Sequence, residues 1–178
     1  MEFSFSPFPE LTTERLHLRR MVMSDDNEIF FLRSDDGVLK YTDIPKANSI
    51  EDARKFIEKI DNITDVNEGI MWAICLKNSN TLIGTICYWN ISKENRSAET
   101  GYMLHPDFQH KGLMQEALAE VVVYGFEKIK WESIDAEVHP ENTSSVKLLE
   151  RNGFTCIKKS EDTLVYSLAN MDNVELVL

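Results

Sequence analysis

The chain has 178 residues, 43% of them apolar, which is enough for a hydrophobic core and fits a single domain over residues 1–178. Its formal charge of −11, from 19 basic against 30 acidic residues, speaks against a nucleic-acid partner, whose phosphates call for a basic stripe. The start Met1-Glu2-Phe3-Ser4 lacks a basic region followed by an apolar one, and no apolar stretch approaches membrane-spanning length, so a soluble, cytoplasmic protein with no membrane partner is expected.

Residues 1–12 hold two prolines and little periodicity and read as an irregular lead-in. Arg15-Leu16-His17-Leu18-Arg19 then alternates charged and apolar residues at the period of a half-buried strand. Ser24 is a candidate N-cap for a helix carrying Ile29, Phe30 and Leu32, with Asp25 and Asp26 in its first turn and Asp36-Gly37 breaking it. Ser49 caps a second helix, in which Ala53, Phe56, Ile57 and Ile60 recur at helical spacing. From Ile70 the pattern becomes extended. Residues 71–76 and 82–89 flank a polar loop at 77–81 as a hairpin, and 98–104 add a third antiparallel strand.

A helix over 113–129 has an apolar face wide enough to be largely buried against a sheet. Residues 133–138 form a strand, Asn142 caps a short helix reaching Asn152, and Gly153 is its left-handed C-terminal residue. Strands at 155–159 and 163–169 close the pattern, joined by Ser160-Glu161-Asp162. The apolar tail within 171–178 packs either at home or against a partner, so monomer and homodimer both stay open. Cys75, Cys87 and Cys156 are widely spaced and sit in apolar runs, with no CxxC or Cys/His spacing. Free thiols, with no disulfide framework and no metal, are expected.

The segment that organises this order is the corner from Tyr102 to Ala117. An extended run ends at His105-Pro106, a polar loop carries Gln109, Lys111 and Gly112, and a helix starts at Leu113. Loop amides and first-turn helix amides there point the same way without carbonyl partners, and the helix dipole adds positive potential: an anion site. Gly112 lets the backbone approach a phosphate.

Gln109-His110-Lys111-Gly112-Leu113-Met114 resembles the Gln/Arg-x-x-Gly-x-Gly/Ala acyl-CoA signature of the GNAT superfamily of N-acetyltransferases, with Met114 in place of the usual small residue. Residues 13–19, Ala98-Glu99-Thr100-Gly101-Tyr102, and the stretch from Asn142-Thr143-Ser144-Ser145 through Asn152-Gly153-Phe154 resemble the branch that contains ribosomal-protein-alanine N-acetyltransferases. The resemblance implies an α+β (mixed α/β) domain with a central twisted mixed sheet of about seven strands and about four flanking helices. That sheet splays open between the strand ending at Leu104 and the strand 133–138. The resemblance also implies acetyl-CoA as cosubstrate and direct transfer to an amine in a ternary complex. A protein N-terminal amine is the expected acceptor. A small-molecule amine (polyamine, aminoglycoside, amino acid) or a non-catalytic CoA-binding regulatory role are the alternatives. The acidic balance suits a cationic acceptor, although acidity more often just reflects solubility.

Amine attack on a thioester needs an anchored CoA, a donor for the developing oxyanion, and proton traffic. The resemblance places main-chain groups of Tyr102, Met103 and Leu104 on the pantetheine arm and acetyl carbonyl. It places the amides of His110, Lys111, Gly112, Leu113, Met114 and Gln115 around the pyrophosphate, supported by the side chains of Gln109 and Lys111. Lys111 reads equally well as a solvated loop lysine. Asn142 is a helix cap and, by resemblance, a pantetheine ligand, while Ser145 is a good helix-start residue and matches a serine near the CoA sulfur. Where many relatives place an acidic tyrosine, this chain has Leu149. Glu99 is the candidate base, or a strand-face glutamate paired with a cation. The four histidines show no metal spacing, and Trp72, Trp89 and Trp131 read as packing residues, one of which could floor the acceptor groove. The family's longer segment between its last two strands, which walls the acceptor site, is here a tight turn within 157–164, and that shortening favours keeping small amines in view.

Overall fold

A computed structural model describes residues 2–171 of the chain. Eight strands form one sheet in the order β1-β2-β3-β4-β5-β6-β8-β7: β1 Leu11–Thr12, β2 Leu16–Arg20, β3 Ile70–Leu76, β4 Leu82–Ser92, β5 Ser97–Leu104, β6 Ser133–Val138, β7 Thr155–Lys159 and β8 Leu164–Ala169. All neighbours are antiparallel except β5 and β6, which the long crossover makes parallel. The expected mixed α/β class is observed with one more strand than the pattern suggested. The addition is β1, two residues inside the stretch read as an irregular lead-in, paired with Leu18 and His17 of β2. Two residues carry no legible period, so the pairing is decided by β2 beside them.

Five α-helices flank the sheet: α1 Asp26–Leu32, α2 Asp36–Leu39, α3 Ile50–Asp65, α4 Leu113–Tyr124 and α5 Thr143–Arg151. β3 explains why they lie on both faces. Trp72 and Ile74 point into one apolar cluster with Leu118, Val121 and Leu149 from α4 and α5, whereas Ala73 and Cys75 point into a second with Ile29, Leu32, Ala53 and Ile57 from α1 and α3. A strand covered on both faces reads as a continuous apolar run, as β3 does. Among the described residues no helix is long and apolar enough to cross a membrane. The C-terminal residues 172–178, where the apolar tail was expected to pack, lie outside the described residues.

The Ser49 cap is present, its hydroxyl accepting from Asp52 N–H at 3.2 Å. The expected cap at Ser24 is not. Ser24 lies inside a 3-10 turn, Met23–Asp25, and α1 starts after Asp25 without a side-chain cap bond. Asp25 instead turns inward to Arg19 of β2, at 2.8 and 2.9 Å. Asp36-Gly37 does not merely break a helix; Asp35 accepts from Val38 N–H at 2.9 Å and caps α2. The helix expected over 113–129 is α-helical to Tyr124 and ends in a π-helical turn, Gly125–Ile129. At its C-terminal end the Tyr88 hydroxyl donates to Val121 O at 2.7 Å, tying α4 to the sheet.

Candidate active site

β5 and β6 pair only through Ser97–Ser133, Ala98–Ile134 and Glu99–Asp135. Beyond Glu99 the strands part, so residues 100–104 of β5 have no ladder partner on that side, and α5 follows β6 across the opening. The result is a cleft of about 330 Å³ lined by β5, the loop before α4, the first turn of α4, and α5. Tyr102, Met103, Leu104, Gln109, His110, Gly112, Leu113, Met114, Gln115, Asn142 and Ser145 all line it.

The loop's path follows from its backbone. His110 and Gly112 both adopt left-handed conformations, with φ of 58° and 76°. Gly112 is the N-cap of α4 and offers no side chain to its first-turn amides. Those amides open toward the cleft while the side chains of Leu113 and Met114 go into the core. The Oε1 of Gln115 is buried without a hydrogen-bond partner, while its Nε2 donates to Asn152, the residue that ends α5, at 2.9 Å. Unpartnered amides at a helix start beside an unpartnered amide oxygen fit an extended, anionic, amide-bearing ligand.

Two side chains expected to hold that ligand are otherwise engaged. Gln109 Nε2 donates to Leu104 O at 2.9 Å, closing the loop onto β5, and Lys111 Nζ donates to Asp107 O at 2.7 Å outside the cleft lining. What pins the loop from behind was not legible. Arg15 donates to Lys111 O at 3.0 Å and pairs with Glu116 of α4 at 2.7 Å, and Glu116 also accepts from Thr13 Oγ1 and Arg15 N–H. Burial alone would raise the Glu116 carboxyl, but these hydrogen bonds hold it below the usual carboxylate range.

At the inner end, Tyr102 reaches from β5 to α5, its hydroxyl 2.6 Å from Ser145 Oγ. Burial pushes the phenol up to about 12. Asn142 caps α5 by accepting from Ser145 N–H at 3.2 Å. Leu149 is fully buried in the core and does not line the cleft. Glu99 is three residues from Tyr102, hence on the opposite face of β5, and it too stands outside the cleft lining. It accepts from Asn90 Nδ2 at 3.0 Å. Burial raises its carboxyl above the usual range; the Asn90 bond opposes this, and nearby Glu137 and Asp135 add to it.

Sequence reasoning missed part of the lining. Gly37 and Val38 of α2, followed by Tyr41 and Thr42, also line the cleft, and Tyr41 stacks on His139 at 5.5 Å between ring centroids. Arg151, on the last turn of α5, also lines it. The Asp35 cap was the one local signal for α2. Among the described residues no group of three or more His, Cys, Asp and Glu is arranged to hold a metal. The three cysteines are free, and burial pushes Cys75 up to about 11 and Cys87 to about 12.

The sequence matches a known family over most of its length. The acetyltransferase (GNAT) domain model matches residues 15–155. The chain belongs to the GNAT acetyltransferases. It is 35% identical over 147 residues to the N-acetyltransferase YoaA of Bacillus subtilis (strain 168), covering 83% of each chain. It is also 35% identical to the N-acetyltransferase p20 of Bacillus licheniformis, over 81% of each. Among solved structures, the ribosomal-protein-S5-alanine acetyltransferase from Vibrio fischeri superposes with a TM-score of 0.80 at 23% identity, over 92% of this chain and 98% of that one, which establishes a shared fold. As a GNAT enzyme the chain is an acetyl-CoA-dependent N-acetyltransferase.

Proposed function

We propose that this GNAT enzyme acetylates a protein N-terminal amine in the cytoplasm, of the kind the ribosomal-protein-alanine acetyltransferases modify. The observation that carries the reading is the parting of β5 and β6 at Glu99, which leaves residues 100–104 of β5 unladdered beside the first turn of α4. On the helix side, the α4 amides and Arg151 offer positive potential to the CoA phosphates, with Tyr102 to Leu104 as an unladdered edge for the pantetheine amides. On the opposite face of β5, Glu99 beside Asp135 and Glu137 favours an approaching ammonium and can relieve it of a proton through water. None of the three cysteines lines the cleft, which supports direct attack by the amine rather than an acyl-cysteine relay.

A small-molecule amine is the second reading. β7 and β8 are joined by a tight turn, with Ser160 N–H donating to Thr163 O at 2.8 Å, so no long segment walls the acceptor side. The test is a thiol-release screen with acetyl-CoA against N-terminal peptides, polyamines, aminoglycosides and amino acids. Turnover on peptides beginning with alanine supports the first reading, and turnover confined to small amines replaces it. Acetyl-CoA binding without thiol release above background on any acceptor overturns both in favour of a CoA-binding regulator.

The two roles of Asn142 separate in one substitution. Asn142→Asp keeps the oxygen that caps α5 but loses the Nδ2 donors proposed for the pantetheine arm. The melting temperature is expected to stay within a degree or two while CoA affinity falls about tenfold by calorimetry. Unchanged affinity would reduce Asn142 to a cap.

A further inference from the structure

We propose that Tyr102 is a positioning residue for acyl transfer: its phenol donates to Ser145 Oγ and thereby directs the Ser145 hydroxyl proton into the cleft, toward the thioester sulfur. This rests on the acetyl transfer proposed above and on the resemblance of Ser145 to a serine near the CoA sulfur. The two side chains come from opposite walls of the cleft, β5 and α5, and both line it. Their oxygens are 2.6 Å apart, a short O–H···O bond.

The direction of that bond follows from acidity. A phenol, ordinarily near pKa ~10, is a better donor than an aliphatic hydroxyl, whose oxygen is the better acceptor. With Tyr102 donating, the Ser145 proton is free for the cleft, and a hydroxyl that already accepts a hydrogen bond donates more strongly. With Ser145 donating, its proton would be spent on the phenol instead of the cleft. The Asn142 cap fixes the other end by holding Ser145 N–H at 3.2 Å, so the serine is located by main chain and hydroxyl alike.

The pair donates without giving up a proton. The phenol at about 12 lies well above an ordinary thiol near ~8.5, so full transfer to the departing sulfur runs uphill by a factor of roughly a thousand. The step balances without it. As the amine nitrogen bonds to the carbonyl carbon, the C–S bond breaks and sulfur leaves with the electron pair. Ser145 O–H stabilises the developing thiolate, which solvent later protonates, and the ammonium proton departs on the Glu99 side. This accounts for how the enzyme works with a core leucine at position 149, since a leaving group as good as CoA thiolate needs a donor more than an acid.

The test needs no acceptor. Ultraviolet absorbance of the thiolate reports the titration of CoA bound to the full-length protein, with the CoA-free protein titrated in parallel to remove phenolate signals. Bound CoA is expected to titrate below free CoA. Tyr102→Phe and Ser145→Ala are each expected to raise the bound value by about one pH unit, and the double variant no further than Ser145→Ala alone. Should Tyr102→Phe fold poorly by melting, 3-fluorotyrosine at position 102, a stronger donor of similar size, is expected to lower the value instead. A shift with Ser145→Ala but none on altering Tyr102 would overturn the positioning role and leave Ser145 in place. No shift with either would remove the reading of Ser145 as well.

Discussion

Replacing Asp25 with alanine should lower the stability of the protein by about 3–5 kcal/mol in urea denaturation, the cost of leaving a buried charge without its partner. Arg19 and Asp25 form a two-pronged pair at 2.8 and 2.9 Å, with side chains only 8% and 6% exposed. The guanidinium also donates to Asn80 Oδ1 and Asn80 O at 2.8 Å, and Asp25 accepts from Val22 N–H at 2.8 Å. A guanidinium keeps its charge at any accessible pH, so no shift in pH spares the variant from burying a cation. The control is Asp36→Ala. Its bond to Lys46, at 2.7 Å, joins side chains 92% and 49% exposed, and its loss should cost no more than about 0.5 kcal/mol. A comparable loss from both substitutions would refute the claim that burial makes the Arg19–Asp25 pair special.

That pair also marks where the sequence stops being legible. Arg19 sits in an alternating run whose period correctly gives a strand, but the alternation assigns its charged positions to solvent, and only the packing of α1 over β2 and β3 shows that Arg19 is covered. Asp25 read as a first-turn acid because helix-start signals are local, whereas its partner is six residues back on another element. The elements read best had signals at both ends. α5 has Asn142 as its cap and Gly153 at φ 84°, and the alternation in 133–138 matches β6 to the residue. α2, four residues long, has too few positions to show a period.

The cleft divides the same way. Its near wall, Tyr102 to Gln115, is continuous in sequence, so strand, turn and helix signals add up along one segment. Its remaining features join distant residues: Tyr102 to Ser145 across 43 positions, Arg15 to Glu116 across 101. Periodicity is blind to such pairings, because each partner satisfies its own local pattern. The resemblance of residues 13–19 to a GNAT opening strand was recognised without its physical reason. That reason is now visible: Thr13 and Arg15 hold Glu116 and the Lys111 carbonyl, which fixes the loop whose amides face the cleft.

Glu99→Gln should slow turnover about a hundredfold on whichever amine the acceptor screen identifies, while leaving the melting temperature equal or higher. The two outcomes come from one cause. Burial, abetted by Glu137 and Asp135 and only partly opposed by the Asn90 bond, raises the Glu99 carboxyl above its ordinary range. A carboxyl raised on folding contributes stability that is present below its unfolded pKa and is lost as pH rises through its folded pKa, so at neutral pH the ionised group is held at a cost that glutamine removes. Base catalysis needs that costly form. The acid limb of kcat/KM should therefore lie above the ordinary glutamate value of ~4.3 and vanish in the variant. Glu99 is roughly 10 Å along β5 from Tyr102 and faces away from it, so a proton it takes from the cleft would have to arrive through water. A variant that keeps both its turnover and its acid limb would show that the base is not Glu99. One that loses activity together with melting temperature would assign Glu99 to the sheet rather than to the chemistry.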